Sequence, residues 1–190
     1  IPAERVVVTG DGTRIKLGGR TFEFIDAPGH ARHHHCPIDL DHREIYSGDN
    51  FGICYREFDT AAGPFMLPTT TPVQFDPDAF HRTIDRLMSY APRRIYQTHF
   101  GPVEDLERLA RDLHAAIVEF VRLARAHADA PQRHAGASDR HVRIEAEMFQ
   151  YLSVRLDEHG YAGDLARRHR LLDDDVRLNT AGLEVWLDRS

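Results

Sequence analysis

The chain has 190 residues, of which 42% are hydrophobic and 28% charged, a composition ordinary for a globular protein of one or two domains. Its formal net charge is −6, and its arginine and acidic residues are interleaved, so it offers no basic stripe to nucleic acid as a partner. No apolar run reaches the length of a bilayer span and the first residues lack a signal-peptide pattern, which favours a soluble protein without a membrane partner.

Short β-like segments, separated by glycine, aspartate and proline, occupy most of the first hundred residues. A β-meander is predicted from three of these segments, RVVVTG, RIKL and RTFEFIDA. CPIDLDHREIYSGD predicts two more strands around an acidic turn, the second ending at Gly48 and Asp49. Residues 56–75 contain three prolines and no clear period, which predicts a long loop.

Cys36 and Cys54, the two cysteines, do not have the spacing of a disulfide scaffold or a cysteine zinc site. We interpret both as small buried hydrophobic side chains rather than ligands. Their scarcity fits a reducing, cytoplasmic location, and one disulfide between neighbouring strands stays open as an alternative.

A helix is predicted to begin after Asp76, a good N-cap residue that precedes a proline suited to the first helical position. The apolar residues that follow share one helical face: Phe80, Ile84, Leu87 and Met88. Pro92 ends this helix, and RRIYQTH then predicts a strand that delivers His99 into a loop. A helix between two strands predicts an α/β unit.

From Val103 onward the spacing of apolar residues predicts helices. The first carries a face of Leu106, Leu109, Leu113, Ile117 and Phe120 and fades in the linker AHADAPQRHAGASD. The second carries the matching face Ile144, Met148, Leu152 and Leu156, with Gly160 as its terminator, and the two faces should pack together. NTAGLEVWLD predicts a short last helix that buries Leu183, Trp186 and Leu187.

Histidines are concentrated in DAPGHARHHHCPIDL, residues 26–40, which holds four of the thirteen behind a Pro-Gly turn. A dinuclear metal centre requires neutral imidazoles and a carboxylate that can bridge. His34, Asp49 and His99 all follow predicted strand ends, where open α/β sheets place their chemistry. Taken singly, each has a simpler interpretation: a polar strand edge, a turn residue after glycine, and a turn histidine.

The segments APGHARHH, IYSGDN fifteen residues later (34 to 49) and IYQTHFGP are similar in order and spacing to the second half of the metallo-β-lactamase fold of glyoxalase II-like hydrolases. The resemblance covers roughly residues 5–103. It implies that His34, the histidine after Pro-Gly-His and three further residues, binds metal, that Asp49 bridges, and that His99 is the last ligand. His30 would belong to the turn or support a ligand, and His33 and His35 would point away from His34 in a regular strand.

The resemblance also implies an activity, that of a metallo-hydrolase acting on a small-molecule ester, thioester, lactone or lactam. Two divalent ions, with zinc favoured over iron or manganese, would hold the attacking hydroxide, and Asp49 would be catalytic as well as metal-binding. The implied fold class is α/β: the second half of an αββα sandwich over residues 1–101, followed by an α-helical subdomain over residues 102–190.

One departure from the family matters. Its signature His-x-His-x-Asp-His, which supplies most of the ligands, does not occur in this sequence. We therefore expect a fragment, a processed chain or a truncated relative that is catalytically incomplete by itself and needs a missing N-terminal half or forms a homo-oligomer. An alternative is a non-catalytic module that binds a partner through its helical tail, which metal stoichiometry would distinguish. Cleavage of nucleic acid phosphodiesters, recognisable by salt dependence, is disfavoured by the acidic charge.

Overall fold

Apolar residues that pair across neighbouring strands form the central layer of the molecule. The computed structural model describes residues 1–70, 73–129 and 139–189, and its register joins Ile38 to Ile45 and Ile45 to Ile95. In these ranges the chain forms one six-stranded sheet whose spatial order follows the sequence: β1 (Thr13–Leu17), β2 (Arg20–Asp26), β3 (His35–Asp39), β4 (Glu44–Gly48), β5 (Arg94–Gln97) and β6 (Pro102–Val103). Neighbouring strands are antiparallel except β4 and β5, which are parallel.

Helix α1 (Pro77–Ser89) forms the crossover between the parallel strands β4 and β5. The backbone N–H of Ala79 donates a 2.9 Å hydrogen bond to Oδ1 of Asp76, which confirms the predicted N-cap. Three apolar residues of its predicted face are fully buried in the core beside the isoleucines of the sheet: Phe80, Ile84 and Leu87. The sequence prediction for this helix is therefore confirmed.

Three further helices follow: α2 (Leu106–Ala126), α3 (Asp139–Glu158) and α4 (Leu165–Leu187). The predicted apolar faces of α2 and α3 are buried in the same core, from Leu106 to Phe120 and from Ile144 to Leu156. Gly160, with φ of +82°, follows the end of α3 as predicted, since this backbone conformation favours glycine. The linker predicted at residues 126–139 lies largely outside the described residues, because 130–138 are not among them.

Two boundaries differ from the prediction. Val103 belongs to β6, which pairs with β5, so the sheet extends past residue 101 and the helix begins only at Leu106. The last helix is not short but runs from Leu165 to Leu187, and Asp164 caps it by accepting a 2.8 Å hydrogen bond from Arg167 N. Its first half is rich in arginine and aspartate, and the buried Leu172 and Val176 are too few to show a helical period in the sequence.

The predicted strand RVVVTG is wrong. Residues Ala3–Arg5 form a 3-10 turn, and Val6, Val7 and Val8 are exposed and lie outside the sheet. β-Branched residues favour a strand because they pack on a pleated, half-buried surface, and this segment has no such surface in the described structure. The loop predicted at residues 56–75 is irregular as expected where it is described, apart from a 3-10 turn at Arg56–Phe58 and isolated bridges such as that between Ile53 and Leu67.

Both cysteines are fully buried and neither forms a disulfide, which confirms their interpretation as small core residues. Burial raises the pKa of Cys36 to about 12 and that of Cys54 to about 11, so both are neutral thiols at physiological pH. No helix within the described ranges has both the length and the apolar composition needed to span a bilayer.

Candidate metal centre

The three predicted ligand residues lie at one edge of the sheet because of its topology. β2 and β4 run in the same direction, since both are antiparallel to β3, and β5 is parallel to β4. The carboxyl ends of these strands therefore meet at one edge. His34 lies in the connection after β2, Asp49 follows β4 directly, and His99 lies two residues beyond β5.

Gly48 allows the histidine-rich segment to approach the end of β4. A Cβ atom at this position would lie 2.5 Å from Nε2 and 2.4 Å from Cε1 of His34, closer than any real contact. Its φ of +56° is also a conformation that favours glycine. The Gly-Asp pair of the sequence thus brings the His34 ring against the backbone that carries Asp49.

Asp49 places one carboxylate oxygen beside each of two imidazoles. Its Oδ2 lies 3.7 Å from Nε2 of His30, and its Oδ1 lies 3.8 Å from Nε2 of His99. Two ligands of a single zinc ion in tetrahedral geometry are about 3.4 Å apart, so each pair is a few tenths of an ångström wider than a bound ion would hold it. A carboxylate shared between two imidazoles in this way suits a bridging role.

The surroundings of His34 favour the neutral form of its imidazole, which is the form that binds metal. Burial and the neighbouring His30 lower the pKa of His34. Its Nδ1 and the Oδ1 of Asp49 are both buried, and no described residue offers either atom a hydrogen bond. Such atoms are costly to bury without a partner, and an imidazole nitrogen and a carboxylate oxygen are both ligands that divalent metal ions take, so the chemistry of each atom fits such an ion.

The donors do not form a closed metal site. Within the described residues, no group of three or more His, Cys, Asp or Glu side chains converges as it would around one ion. The distances around Asp49 agree with this, because one of its oxygens lies near His30 and the other near His99, in two separate pairs. The edge therefore carries an open, partial set of donors, and the side chain of His99 is 57% exposed.

His30, which the sequence analysis assigned to the turn or to the support of a ligand, lies beside Asp49 in the structure. Its Nδ1 is 3.2 Å from the carbonyl oxygen of Thr69, which can only accept, so Nδ1 carries the proton and Nε2 faces Asp49. Its backbone N–H donates to Oδ1 of the buried Asn50 at 3.4 Å. The sequence feature that could have indicated the position of His30 is the Pro-Gly turn before it. A Cβ atom on Gly29 would lie 2.4 Å from Cα of Phe80, so the turn packs closely against α1.

The other two histidines of the run lie outside this group. His33 and His35 are exposed, whereas His34 is half-buried. His35 opens β3 and its ring centroid lies 6.3 Å from that of Phe24, on the sheet face opposite the core.

Comparison with known proteins identifies the fold. The structure matches a metallo-β-lactamase family protein from Thermus thermophilus (TM-score 0.56, 19% identity), covering 94% of this chain and 48% of that one. It also matches an archaeal metallo-β-lactamase superfamily protein from Sulfolobus tokodaii (0.54, 19%, covering 95% and 52%) and a β-lactamase domain protein from Burkholderia ambifaria (0.56, 15%, covering 100% and 49%). No protein-family model and no curated protein matches the sequence.

These matches confirm the predicted fold class, because they place the sheet and helices within the metallo-β-lactamase fold. At identities below 20% they establish the fold and nothing about activity. The chain spans about half the length of these solved structures.

Proposed function

We propose that this chain, which has the metallo-β-lactamase fold over about half the length of its structural neighbours, is the metal-binding second half of a metal-dependent hydrolase. The observation that carries the proposal is the position of Asp49, whose carboxylate lies between the imidazoles of His30 and His99, at the same sheet edge where His34 buries a nitrogen without a hydrogen bond. His34 and His99 would each hold one ion and Asp49 would bridge them. We propose zinc as the metal, and iron and manganese are the alternatives because imidazole and carboxylate donors suit all three.

The chemistry follows from these donors. Bound divalent ions would supply a nucleophile from water at neutral pH and polarise a carbonyl oxygen. The chain's own residues would prepare this: burial lowers the pKa of His34, which favours its neutral form, and the Asp49 carboxylate would attract the ions. The exposed His99 leaves one side open to an incoming small-molecule substrate. We assign the substrate to the carbonyl class of esters, thioesters, lactones or lactams, and the buried neutral thiols support a reducing, cytoplasmic location.

The partner we propose is a polypeptide segment with the fold of the other half of the sandwich. The sheet face opposite the core carries the partly exposed rings of Tyr46 and Tyr96, stacked at 5.1 Å, and the buried ring of Phe22 lies 6.4 Å from that of Tyr46. Such a face needs a cover, and the neighbours are about twice as long as this chain. The alternative is a homo-oligomer in which a second copy of the chain covers the same face, and a measurement of molecular size distinguishes the two.

The test is the zinc content of the chain, measured by elemental analysis after zinc loading and removal of free ion. His34→Ala, Asp49→Ala and His99→Ala should each lower the bound zinc, because each removes a donor. His33→Ala is the matched control, since it deletes an exposed imidazole from the same run. Equal zinc in all four variants would contradict the proposal and favour the alternative of a non-catalytic module.

A further inference from the structure

We propose that helix α4 sets the geometry of the metal centre through two chains of contacts, one from Asn179 to Asp49 and His30 and one from Asp175 to the loop of His99. Asp175 and Asn179 are then positioning residues, not ligands. The inference deepens the proposed function and rests on it. Residues 175 and 179 are four apart in α4 and so lie on the same face of the helix.

The first chain begins at Asn179, whose side chain is buried in contact with residues 68–70. Its Oδ1 accepts a 2.6 Å hydrogen bond from the backbone N–H of Thr70, and its Nδ2 donates to the carbonyl oxygen of Pro68 at 3.2 Å. The Thr70 hydroxyl donates in return to the carbonyl oxygen of Asn179 at 2.9 Å. These bonds fix the segment 68–70 to α4.

Thr69 lies between Pro68 and Thr70 in sequence and forms hydrogen bonds to two residues of the candidate metal centre. Its hydroxyl donates to the carbonyl oxygen of Asp49 at 2.8 Å, and its own carbonyl oxygen binds Nδ1 of His30 at 3.2 Å. One short segment is therefore held by α4 on one side and holds both Asp49 and His30 on the other. Displacing Asn179 should move these donors together.

The second chain begins at Asp175. Tyr55 donates its hydroxyl proton to Oδ2 of Asp175 at 2.6 Å, and the Tyr55 ring lies 4.3 Å, centroid to centroid, from the ring of Phe100. Phe100 directly follows His99. Helix α4 is therefore connected through Tyr55 to Phe100, the residue that follows the candidate ligand His99.

The loop after His99 has a conformation that depends on such contacts. Phe100 has φ of +69°, which is unfavourable for a residue with a side chain, and such conformations persist only where the surroundings impose them. Arg56 adds to the restraint, since its Nε donates to the carbonyl oxygen of Phe100 at 2.8 Å and its Nη2 to that of Pro102 at 2.7 Å. Tyr55 and Arg56, which are adjacent in sequence, therefore hold this loop from two sides.

The experiment combines histidine-ring NMR of the metal-free chain with zinc titration. Asn179→Leu should shift the ring signals of His30 and leave those of His99 in place, whereas Asp175→Leu should do the reverse. Each should weaken zinc binding about tenfold or more, as loss of a group supporting a ligand usually does. Asp175→Asn, which keeps an acceptor for Tyr55, should restore most of the loss.

Controls separate this role from general stability. Arg177→Ala removes an exposed α4 side chain that pairs with Asp174 and should change neither signals nor affinity. If a leucine variant does not fold, Thr70→Val and Tyr55→Phe remove single hydroxyl groups from the two chains and should give the same pattern at smaller size. Ring signals that stay unchanged in folded variants would overturn the inference. If the wild type binds no zinc but the variants show the predicted ring shifts, the proposed function is refuted and the positioning role is supported.

Discussion

Oδ2 of Asp49 lies 3.7 Å from Nε2 of His30, so the first histidine of the Pro-Gly-His turn faces the carboxylate at the end of β4. The sequence analysis assigned His34, Asp49 and His99 as ligands and His30 to the turn or to the support of a ligand. Thr69 fixes the His30 ring through Nδ1, which directs Nε2 towards Asp49. His30 therefore belongs with His34, Asp49 and His99 in any account of metal binding at this edge.

His30→Ala should reduce the zinc affinity of the chain by about tenfold or more, because it removes either a ligand or the group that orients Asp49. Zinc titration of the folded variant measures this. His35→Ala is the control, because His35 belongs to the same histidine run but its imidazole lies near Phe24, on the sheet face opposite the core. Equal affinity in the two variants would show that His30 is only a turn residue.

Residues 1–190 expressed alone should bind metal weakly, show no steady turnover of a generic ester or thioester, and associate through the aromatic sheet face. The sequence lacks the His-x-His-x-Asp-His segment, and the donors that the described residues place at the sheet edge are too few for two closed sites. Metal analysis, size-exclusion chromatography and an esterase assay test the three parts. A monodisperse monomer with two metals per chain and steady turnover would contradict this prediction.

Leu113→Asp should lower the free energy of unfolding by about 3 kcal/mol or more, because it places an unpaired charge in the core between α2 and its neighbours. Leu113 is fully buried, whereas Val118 on the same helix is 59% exposed. Val118→Asp should therefore cost less than about 0.5 kcal/mol. Chemical denaturation of both variants checks the comparison, and similar losses would mean that the α2 face is not core.

Acid should destabilise the chain partly through Glu23. A hydrogen bond from the Tyr90 hydroxyl at 2.7 Å, together with Arg14, holds the pKa of Glu23 below its ordinary value of 4.5. The unfolded chain then binds this proton more readily, so the contribution is complete above pH 4.5 and is lost as the pH falls through the lower folded value. Unfolding curves across this range should show a smaller pH dependence for Glu23→Gln than for the wild type.

Much of the fold was readable from the sequence because it depends on local chemistry. Asp76 caps α1 as its residue type predicts. The apolar residues of α1, α2 and α3 recur with the helical period in the sequence, and these faces are buried in the structure. The candidate ligands His34, Asp49 and His99 were proposed because the segments that carry them resemble metallo-β-lactamase motifs in order and spacing. The strand predicted at RVVVTG failed because a strand needs a neighbour as well as β-branched residues.

The relationships between distant segments were decided only by the tertiary structure. The length of α4 depends on burial of Leu172 and Val176 in a core that the local pattern does not reveal. The position of His30 beside Asp49 depends on Thr69, thirty-nine residues further along the chain from His30, and the contact of Asn179 with Thr70 spans 109 residues. Sequence periodicity reports which face of an element is apolar, but hydrogen bonds between remote segments arise from how those elements pack. The sequence therefore supplied candidate donors, and the packing decided which of them lie close together.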